Sequence, residues 1–589
     1  MCGIIGYIGN KNAPELLVEG LKNLEYRGYD SAGIAVLNDS MIEFKKDTGK
    51  IGEIRHKLDF NNIGSSVGIA HTRWATHGKV SAENAHPHLD CINSIAVVHN
   101  GIIENYLELK KELIHNGHIF TSETDSEVIA HLIEEGVKTG LCLEDAFIGA
   151  LSKIEGSYAI LAIKAGEEKI IAARKDSPLV LGIADHGIFL SSDIPSFLEW
   201  TKNIVYLHEY DVVIAGRDSV RFYNLVDGNV SRPIDSVEWD AIQARKGGFE
   251  HHMLKEIMEQ TETIQRAIQQ DKMLVDKIVE EIKDAHGIFF VGCGSSYHAC
   301  LAESYLFSRV SNLHINIVFG SEFENYEHFL TENTLVIAVS QSGETADILE
   351  AMRTAKKHGS RVISIVNVMG STLMRESDSC LLMNAGPEIC VLSTKTYTSQ
   401  IALLTVLSHA LIGKYDESIQ KLKSLYMDVY NLTSRTMRDH LKKLAENLVG
   451  KEHIYLIGRG LQYATALEAA LKIKEVSYIH AEAFAGGELK HGPLALIEDG
   501  TPVIVFVAKE NEKKIISNAE EVKTRGGYVI GVSAEKHDIF DYWIKVSEAG
   551  DLNPIVQIIP MQILAYKLAV LKGLDPDKPR NLAKSVTVI

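Results

Sequence analysis

Gly287-Ile288-Phe289-Phe290-Val291-Gly292-Cys293-Gly294 and Ile454-Tyr455-Leu456-Ile457-Gly458-Arg459-Gly460 share one shape. Each is a short apolar run closed by a Gly-x-Gly turn, with Tyr297 or Tyr463 just beyond on a helical stretch. A second pair repeats the offset. Thr334–Val339 leads through a helical stretch to Gly359-Ser360-Arg361-Val362-Ile363-Ser364, and Thr501–Phe506 leads through another to Gly526-Gly527-Tyr528-Val529-Ile530-Gly531. Val291 and Ile457 are 166 positions apart, Thr334 and Thr501 167. Two independent matches at one offset mark a duplication. Buried strands alternating with helices predict two α/β units with parallel sheets covered on both faces.

Upstream the pattern changes. To about residue 240 the chain reads as short alternating strands, clearest at Cys2–Ile8, Ala32–Leu37, Val67–His71 and Ile95–His99, interrupted by amphipathic stretches at Asn105–Asn116 and Thr124–Gly136. Thr124-Asp125-Ser126-Glu127 reads as a helix cap. This is a mixed α+β pattern. Asp227-Gly228-Asn229, Arg232-Pro233 and Lys246-Gly247-Gly248 mark a boundary, and a charged helical segment follows from His251 to Ala285. The expected domains are 1–240, a linker and helical segment at 241–280, α/β units at 281–425 and 445–575, and a tail at 576–589.

Composition narrows the function. With 589 residues the chain holds roughly three to five structural units. Apolar residues at 46% and charged residues at 23% supply several cores and exclude a disordered chain. A net charge of −18 argues against nucleic acid or an anionic membrane as partner. Seven scattered cysteines form neither a disulfide framework nor a CxxC zinc pair. The start lacks the basic and apolar regions of a secretory signal. The most apolar stretch, Ile555–Leu574, is broken by Gln557, Pro560, Gln562 and Lys567, so no membrane helix is expected. The expectation is a soluble, cytoplasmic protein.

Cys2 is the first chemical candidate. With Met1 removed it carries a thiol and a free α-amine, with ordinary pKa values of about 8.5 and about 7.7–8.0, a nucleophile with its own base. Read alone, it is a small buried hydrophobe. His71-Thr72-Arg73-Trp74-Ala75-Thr76-His77-Gly78 follows a strand, where loops present side chains to ligands. Arg73 could clamp a carboxylate or sit in a surface ion pair; Trp74 is by default a core aromatic. Asn100-Gly101 could supply an oxyanion hole or simply a hairpin turn. Asp125 could hold an ammonium or cap a helix.

In the second half, Ser340-Gln341-Ser342-Gly343-Glu344-Thr345 lies between a buried strand and a helix, the arrangement of a phosphate cradle and also of any capped helix start. The duplicate, Val507-Ala508-Lys509-Glu510-Asn511-Glu512, has lost the donors, so one copy binds phosphate. Gly294-Ser295-Ser296 opens the neighbouring loop. Glu468, Lys472 and Glu475, spaced four and three, share a helical face as solvated ion pairs or as acid–base groups. His491 lies between Gly and Pro turns. Proton transfer between adjacent carbons needs a carboxylate base, and an imidazole beside it can serve as a second acid–base group.

Met1-Cys2-Gly3-Ile4-Ile5-Gly6, Leu24–Gly33, His71–Gly78, His99-Asn100-Gly101, Thr124-Asp125-Ser126, Leu471–Glu482 and Arg580–Val588 together resemble the glutamine–fructose-6-phosphate aminotransferase (isomerising) family over nearly the whole chain. The resemblance implies an α+β N-terminal-nucleophile (Ntn) glutaminase domain of type 2, followed by two α/β SIS (sugar isomerase) domains with parallel sheets. It implies hydrolysis of L-glutamine at Cys2, with Asn100 and Gly101 on the oxyanion, Arg73 on the glutamine carboxylate, Asp125 on its ammonium and Trp74 gating ammonia passage. It implies conversion of D-fructose 6-phosphate to D-glucosamine 6-phosphate, the first committed step of amino-sugar synthesis. Glu475 would be the isomerisation base, His491 the ring-opening group with Lys472 and Glu468 nearby, and Lys584 the Schiff-base lysine. Ser296, Ser340, Gln341, Ser342, Thr345 and Ser393 would bind the sugar phosphate. A homodimer without metal or organic cofactor is expected. Cys390 and Leu392 stand where smaller residues are expected, Ser295 replaces a usual Thr, and Ile589 ends the chain instead of Glu.

Two rivals remain at this level. An amidotransferase acting on phosphoribosyl pyrophosphate would not need duplicated SIS units or the Lys584 tail. A non-catalytic sugar-phosphate sensor would not need Cys2 or the Glu475, His491 and Lys584 set.

Overall fold

Alternation along Gly3–Gly9 sets the layers of the first unit: Ile4 and Ile8 face one core, Ile5 and Tyr7 the other. The computed structural model describes residues 2–38, 40–58, 64–74, 78–237 and 246–587. Met1 and its removal, Ala75–His77, and the expected boundary near residue 240 lie outside the described residues. The chain divides into two units, residues 1–244 with 583–589, and residues 245–582.

In the first unit Gly3–Gly9 pairs antiparallel with Val67–Arg73 and Gly187–Ser191 inside an eight-stranded sheet, and Ser31–Asn38 pairs on the far side of Val67–Arg73. Ile95–Ile103 pairs antiparallel with Gly156–Lys164 in a seven-stranded sheet. Ile4, Ile8 and Ile69 of the first sheet share a core with Val98, Leu161 and Ile170 of the second. The helix Ala13–Leu24 covers the outer face of the first sheet. Tyr106–His115, Glu127–Lys138 and Leu143–Leu151 cover the second. The result is an α/β/β/α stack whose inter-sheet core is apolar, as face-to-face sheet packing requires.

The second unit carries the duplication. One parallel sheet runs Asn316–Phe319, Gly287–Gly292, Thr334–Ser340, Arg361–Val366, Ser379–Leu382. The other runs His480–Ala485, His453–Gly458, Pro502–Phe506, Tyr528–Ser533, Tyr542–Lys545, the same spatial order. Two residues beyond the strands Gly287–Gly292 and His453–Gly458, a glycine caps the next helix in an almost identical conformation, φ 54° and ψ −124° at Gly294, φ 57° and ψ −127° at Gly460. Only glycine adopts this backbone without strain, which is why the Gly-x-Gly turn survives in both copies.

Two expectations need correction. The helix spanning 550–571 is long and apolar enough to cross a membrane by length and composition, despite Pro560 and its two glutamines, and 83% of that window is buried. It packs in one core with the helix Leu461–Ser477, and Gln557 and Gln562 bond to the backbone carbonyls of Val507 and Thr394. The second is the cap at Thr124–Glu127. Ser126 stands at the N-cap of Glu127–Lys138 without capping it, because its hydroxyl pairs with the side chains of His99 and Asp125.

Candidate active site

Cys2 sits at the start of the Gly3–Gly9 strand, beside the end of Val67–Arg73, and the register of these strands fixes its neighbours. The Trp74 backbone N–H donates to Sγ at 3.2 Å and the thiol reaches the Trp74 carbonyl at 3.5 Å. Burial pushes the Cys2 thiol up, partly offset by the Trp74 N–H and the Arg73 guanidinium, while Asp125 acts to raise it further. Arg73 and Asp125 therefore both act electrostatically on the sulfur. Arg73 is buried, and its guanidinium donates to the carbonyls of Lys79 and Gly78 at 3.2 and 3.4 Å. Trp74 packs edge-on against Tyr29 at 5.7 Å between ring centroids.

Asn100 lies on the strand Ile95–Ile103 of the other sheet, next to its edge. Its Nδ2 donates to the Cys2 carbonyl at 2.9 Å, and Oδ1 is 3.1 Å from His71 Nε2. Gly101 has φ +132°, and a Cβ there would lie 2.0 Å from the Ser157 carbonyl oxygen, so only glycine fits. Asp125 accepts from the Ile103 N–H at 2.8 Å and meets Ser126 Oγ, which contacts His99 Nδ1 at 2.8 Å. Cys2, Asn100, Arg73 and Asp125 thus belong to one connected polar cluster.

Sequence reasoning missed the histidines behind it. His71 and His86 stack at 4.0 Å, and His86 Nδ1 accepts from the His99 N–H. Burial pushes His71 down to about 3 and holds His86 and His99 below the ordinary range. A buried imidazole stays neutral because charging it there would cost several kcal/mol. The ligand-loop reading of His71–Gly78 carried no signal for this supporting role. Residues of the Leu24–Gly33 motif are likewise structural: Arg27 grips Asp193 through Nη2 at 2.6 Å, and Glu25 accepts from the Ile51 N–H.

In the second unit the hydroxyls of Ser340 and Ser342 fold the loop around itself. They accept from the N–H groups of Gly343 and Glu344 at 3.0 and 3.2 Å, and Ser340 Oγ lies 3.4 Å from Thr345 Oγ1. Gly343 has φ +64°, and a Cβ would lie 2.2 Å from Ser371 Oγ. Gln341 sits half-buried in the same loop, which delivers these groups to the N-terminus of the helix Ala346–Lys357. In the duplicate, Asn511 spends its amide on the Arg459 carbonyl and Gln462 Oε1, a purely structural closure.

The helix Leu461–Ser477 buries Lys472 completely. Its ammonium pairs with Glu475 at 2.8 Å and Glu468 at 3.3 Å, and donates to Ser295 Oγ at 3.0 Å. Glu468, also fully buried, binds His298 Nδ1 at 2.8 Å. Although burial acts to lower it, the two carboxylates hold the Lys472 ammonium above its ordinary range. A solvated ion-pair face is therefore overturned; this is an internal relay joining the two α/β halves, with Glu475 at its more open end. Ser296 Oγ accepts from Gln400 at 3.0 Å. Ser393 Oγ lies 2.6 Å from Thr396 Oγ1, in a turn clamped by Glu388.

Cys390 and Leu392 are both completely buried in the main core of this unit, so their bulk fills the interior and leaves Ser393 half-exposed. His491 ends the turn Gly486–His491 and is exposed; among the described residues it makes no hydrogen bond with the Lys472 relay. Arg580 lies over the Tyr478 ring at 4.2 Å, and Lys584 falls in the segment that groups with the first unit.

The same division appears in comparisons with known proteins. A glutamine amidotransferase domain profile matches residues 71–199, and an SIS domain profile matches 281–410 and 447–572. The chain is 46% identical over 597 residues to the glutamine–fructose-6-phosphate aminotransferase [isomerizing] of Pyrococcus horikoshii and 44% identical over 609 residues to that of Clostridium acetobutylicum, with the full length of each chain covered. The C-terminal domain of the Francisella tularensis glucosamine-fructose-6-phosphate aminotransferase superposes with a TM-score of 0.51 at 34% identity, covering 56% of this chain and 99% of that one. The chain belongs to the glutamine–fructose-6-phosphate aminotransferase (isomerizing) family.

Proposed function

We propose that this enzyme hydrolyses L-glutamine, passes the ammonia internally and converts D-fructose 6-phosphate to D-glucosamine 6-phosphate, releasing L-glutamate. The observation that carries the first half is the cluster around Cys2, with Asn100 on its backbone carbonyl and Arg73 and Asp125 acting on its thiol. Cys2 attacks the amide carbon, its own α-amine taking the thiol proton once Met1 is gone. Asn100 and the Gly101 N–H steady the oxyanion, Arg73 holds the substrate carboxylate, Asp125 its ammonium, and Trp74 gates the exit of ammonia.

For the second half, the Ser340–Thr345 loop with Ser296 and Ser393 is read as the phosphate and sugar cradle. Glu475, paired with Lys472, moves the proton between the sugar carbons, and Glu468 fixes Lys472. Lys584 forms the Schiff base with the open-chain ketose, and His491 serves ring opening. These roles rest on the family pattern. So do a homodimeric, cytoplasmic enzyme and domains at 1–240, 281–425 and 445–575, with the tail 576–589 completing the sugar site.

The test is to incubate purified protein with L-glutamine and fructose 6-phosphate and quantify both products. Equimolar glutamate and glucosamine 6-phosphate are expected. Glutamate without amino sugar would overturn the sugar half, and turnover only with phosphoribosyl pyrophosphate would favour the other amidotransferase.

A further inference from the structure

Cys91, His118, His131 and Glu134 converge on one point of the first unit, apart from every residue used above. Cys91 follows the short strand His88–Leu89, and His118 lies in the turn beyond the helix Tyr106–His115. His131 and Glu134 are one turn apart on the helix Glu127–Lys138. Cys91 Sγ lies 3.5 Å from His118 Nδ1 and 3.7 Å from His131 Nδ1, and the two Nδ1 atoms are 3.3 Å apart. Glu134 Oε2 is 2.8 Å from His118 Nδ1 and 3.1 Å from His131 Nδ1.

Tetrahedral zinc with bonds of about 2.0–2.3 Å to N, O and S has ligand–ligand edges of about 3.3–3.8 Å. The N–N and S–N edges fall in that range and the N–O edges are slightly shorter. The thiol and two imidazoles can place at most three protons among these five edges, whereas one cation satisfies all four ligand atoms together. We propose that these residues bind a structural zinc ion. A thiolate, a carboxylate and two neutral imidazoles neutralise its two charges, the thiol proton being released to solvent on binding. Mixed S, N and O donors suit zinc and not the oxygen-bound magnesium or calcium. Four protein ligands close the sphere, which marks a structural site and not a catalytic one.

The surroundings agree. His118 Nε2 meets Glu135 Oε1 at 2.7 Å, the outer carboxylate that orients a metal-bound histidine. Both histidines and Glu134 are buried while Cys91 is exposed, leaving an entry side for the ion. The ion would pin the helix Glu127–Lys138, which begins two residues after Asp125 of the Cys2 cluster, to two separate segments of the fold.

The test is metal content of the purified full chain by plasma mass spectrometry, with cobalt(II) exchanged for the ion in a second sample. About one zinc per chain is expected, with tetrahedral cobalt d–d absorption and a thiolate charge-transfer band in the exchanged protein. The variant Cys91→Ser/His131→Gln should retain at least tenfold less zinc. Zinc-free protein that gives no cobalt spectrum after reconstitution would overturn the proposal, as would undiminished zinc in the variant. The cobalt spectrum uses the unaltered chain, so it decides even if the variant fails to fold. Neither readout depends on glutaminase activity.

Discussion

Replacing Lys472 with methionine removes one ammonium from the interior and strands two carboxylates. The contacts at 2.8 Å to Glu475 and 3.3 Å to Glu468 correspond to roughly 6 and 5 kcal/mol at an effective dielectric of about 20. Relief from burying the ammonium offsets several kcal/mol of this, leaving a net loss of about 3–5 kcal/mol, the usual result of breaking a buried pair from one side. Glu468 suffers most, since it is fully buried and is left with His298 and the Ser295 hydroxyl as polar neighbours on the relay. Adding Glu468→Gln removes the stranded charge, so the double variant should recover about half of the loss or more. The assay is urea-dependent hydrogen exchange in the full chain, followed on peptides spanning 461–477, which reads local opening free energy without assuming one cooperative transition. Lys472→Met costing less than about 1 kcal/mol, or a double variant no better than the single one, would refute the view of this relay as a buried, charge-balanced unit.

Other consequences are equally open to measurement. Asn100→Ala deletes the donor 2.9 Å from the Cys2 carbonyl; glutaminase kcat should fall roughly 10²–10³-fold while ammonia-dependent synthesis is kept, and an equal loss of both would contradict the assignment. Gly343→Ala forces a Cβ to within 2.2 Å of Ser371 Oγ at φ +64°, a strain of about 1–3 kcal/mol, so KM for the sugar phosphate should rise about tenfold with glutaminase unaltered. His71 is held neutral by burial, its pKa near 3, so below about pH 6.5 the unfolded chain binds a proton that the folded chain refuses. Its contribution is complete above that pH and is lost as pH falls, on the order of 1 kcal/mol by about pH 5.5. Thermal unfolding of the unaltered enzyme should therefore be acid-sensitive, and a His71→Gln variant less so; identical pH profiles would count against it.

The two parallel sheets were legible because the duplication repeats a physical necessity, a buried strand followed by a helix-capping glycine whose backbone only glycine adopts without strain. The first unit was legible at the level of its strands, where alternation separates Ile4 and Ile8 from Ile5 and Tyr7. What periodicity could not reveal was partnership across the sheets. Ser126 reads as a cap, yet tertiary contact with His99 claims its hydroxyl. Spacing alone left Glu468 and Lys472 open between a solvated face and acid–base groups, because only tertiary contact from the other α/β half shows that they are covered. The apolar helix ending at Leu571 illustrates the reverse: glutamines that seem to disqualify it for an apolar setting donate their amide N–H groups to backbone carbonyls inside the unit. The zinc ligands were the least visible, because three chain segments supply them and no CxxC pair announces them; only the His131–Glu134 spacing on one helix gives a local hint.

The joint action of the two sites is tested most directly by following nitrogen. Amide-labelled glutamine and fructose 6-phosphate should give labelled glucosamine 6-phosphate with the unaltered enzyme. Cys2→Ala should give none, yet still make product from ammonium salts. Labelled product from the Cys2→Ala protein, or product from the unaltered enzyme lacking the label, would contradict transfer of ammonia from Cys2 to the sugar.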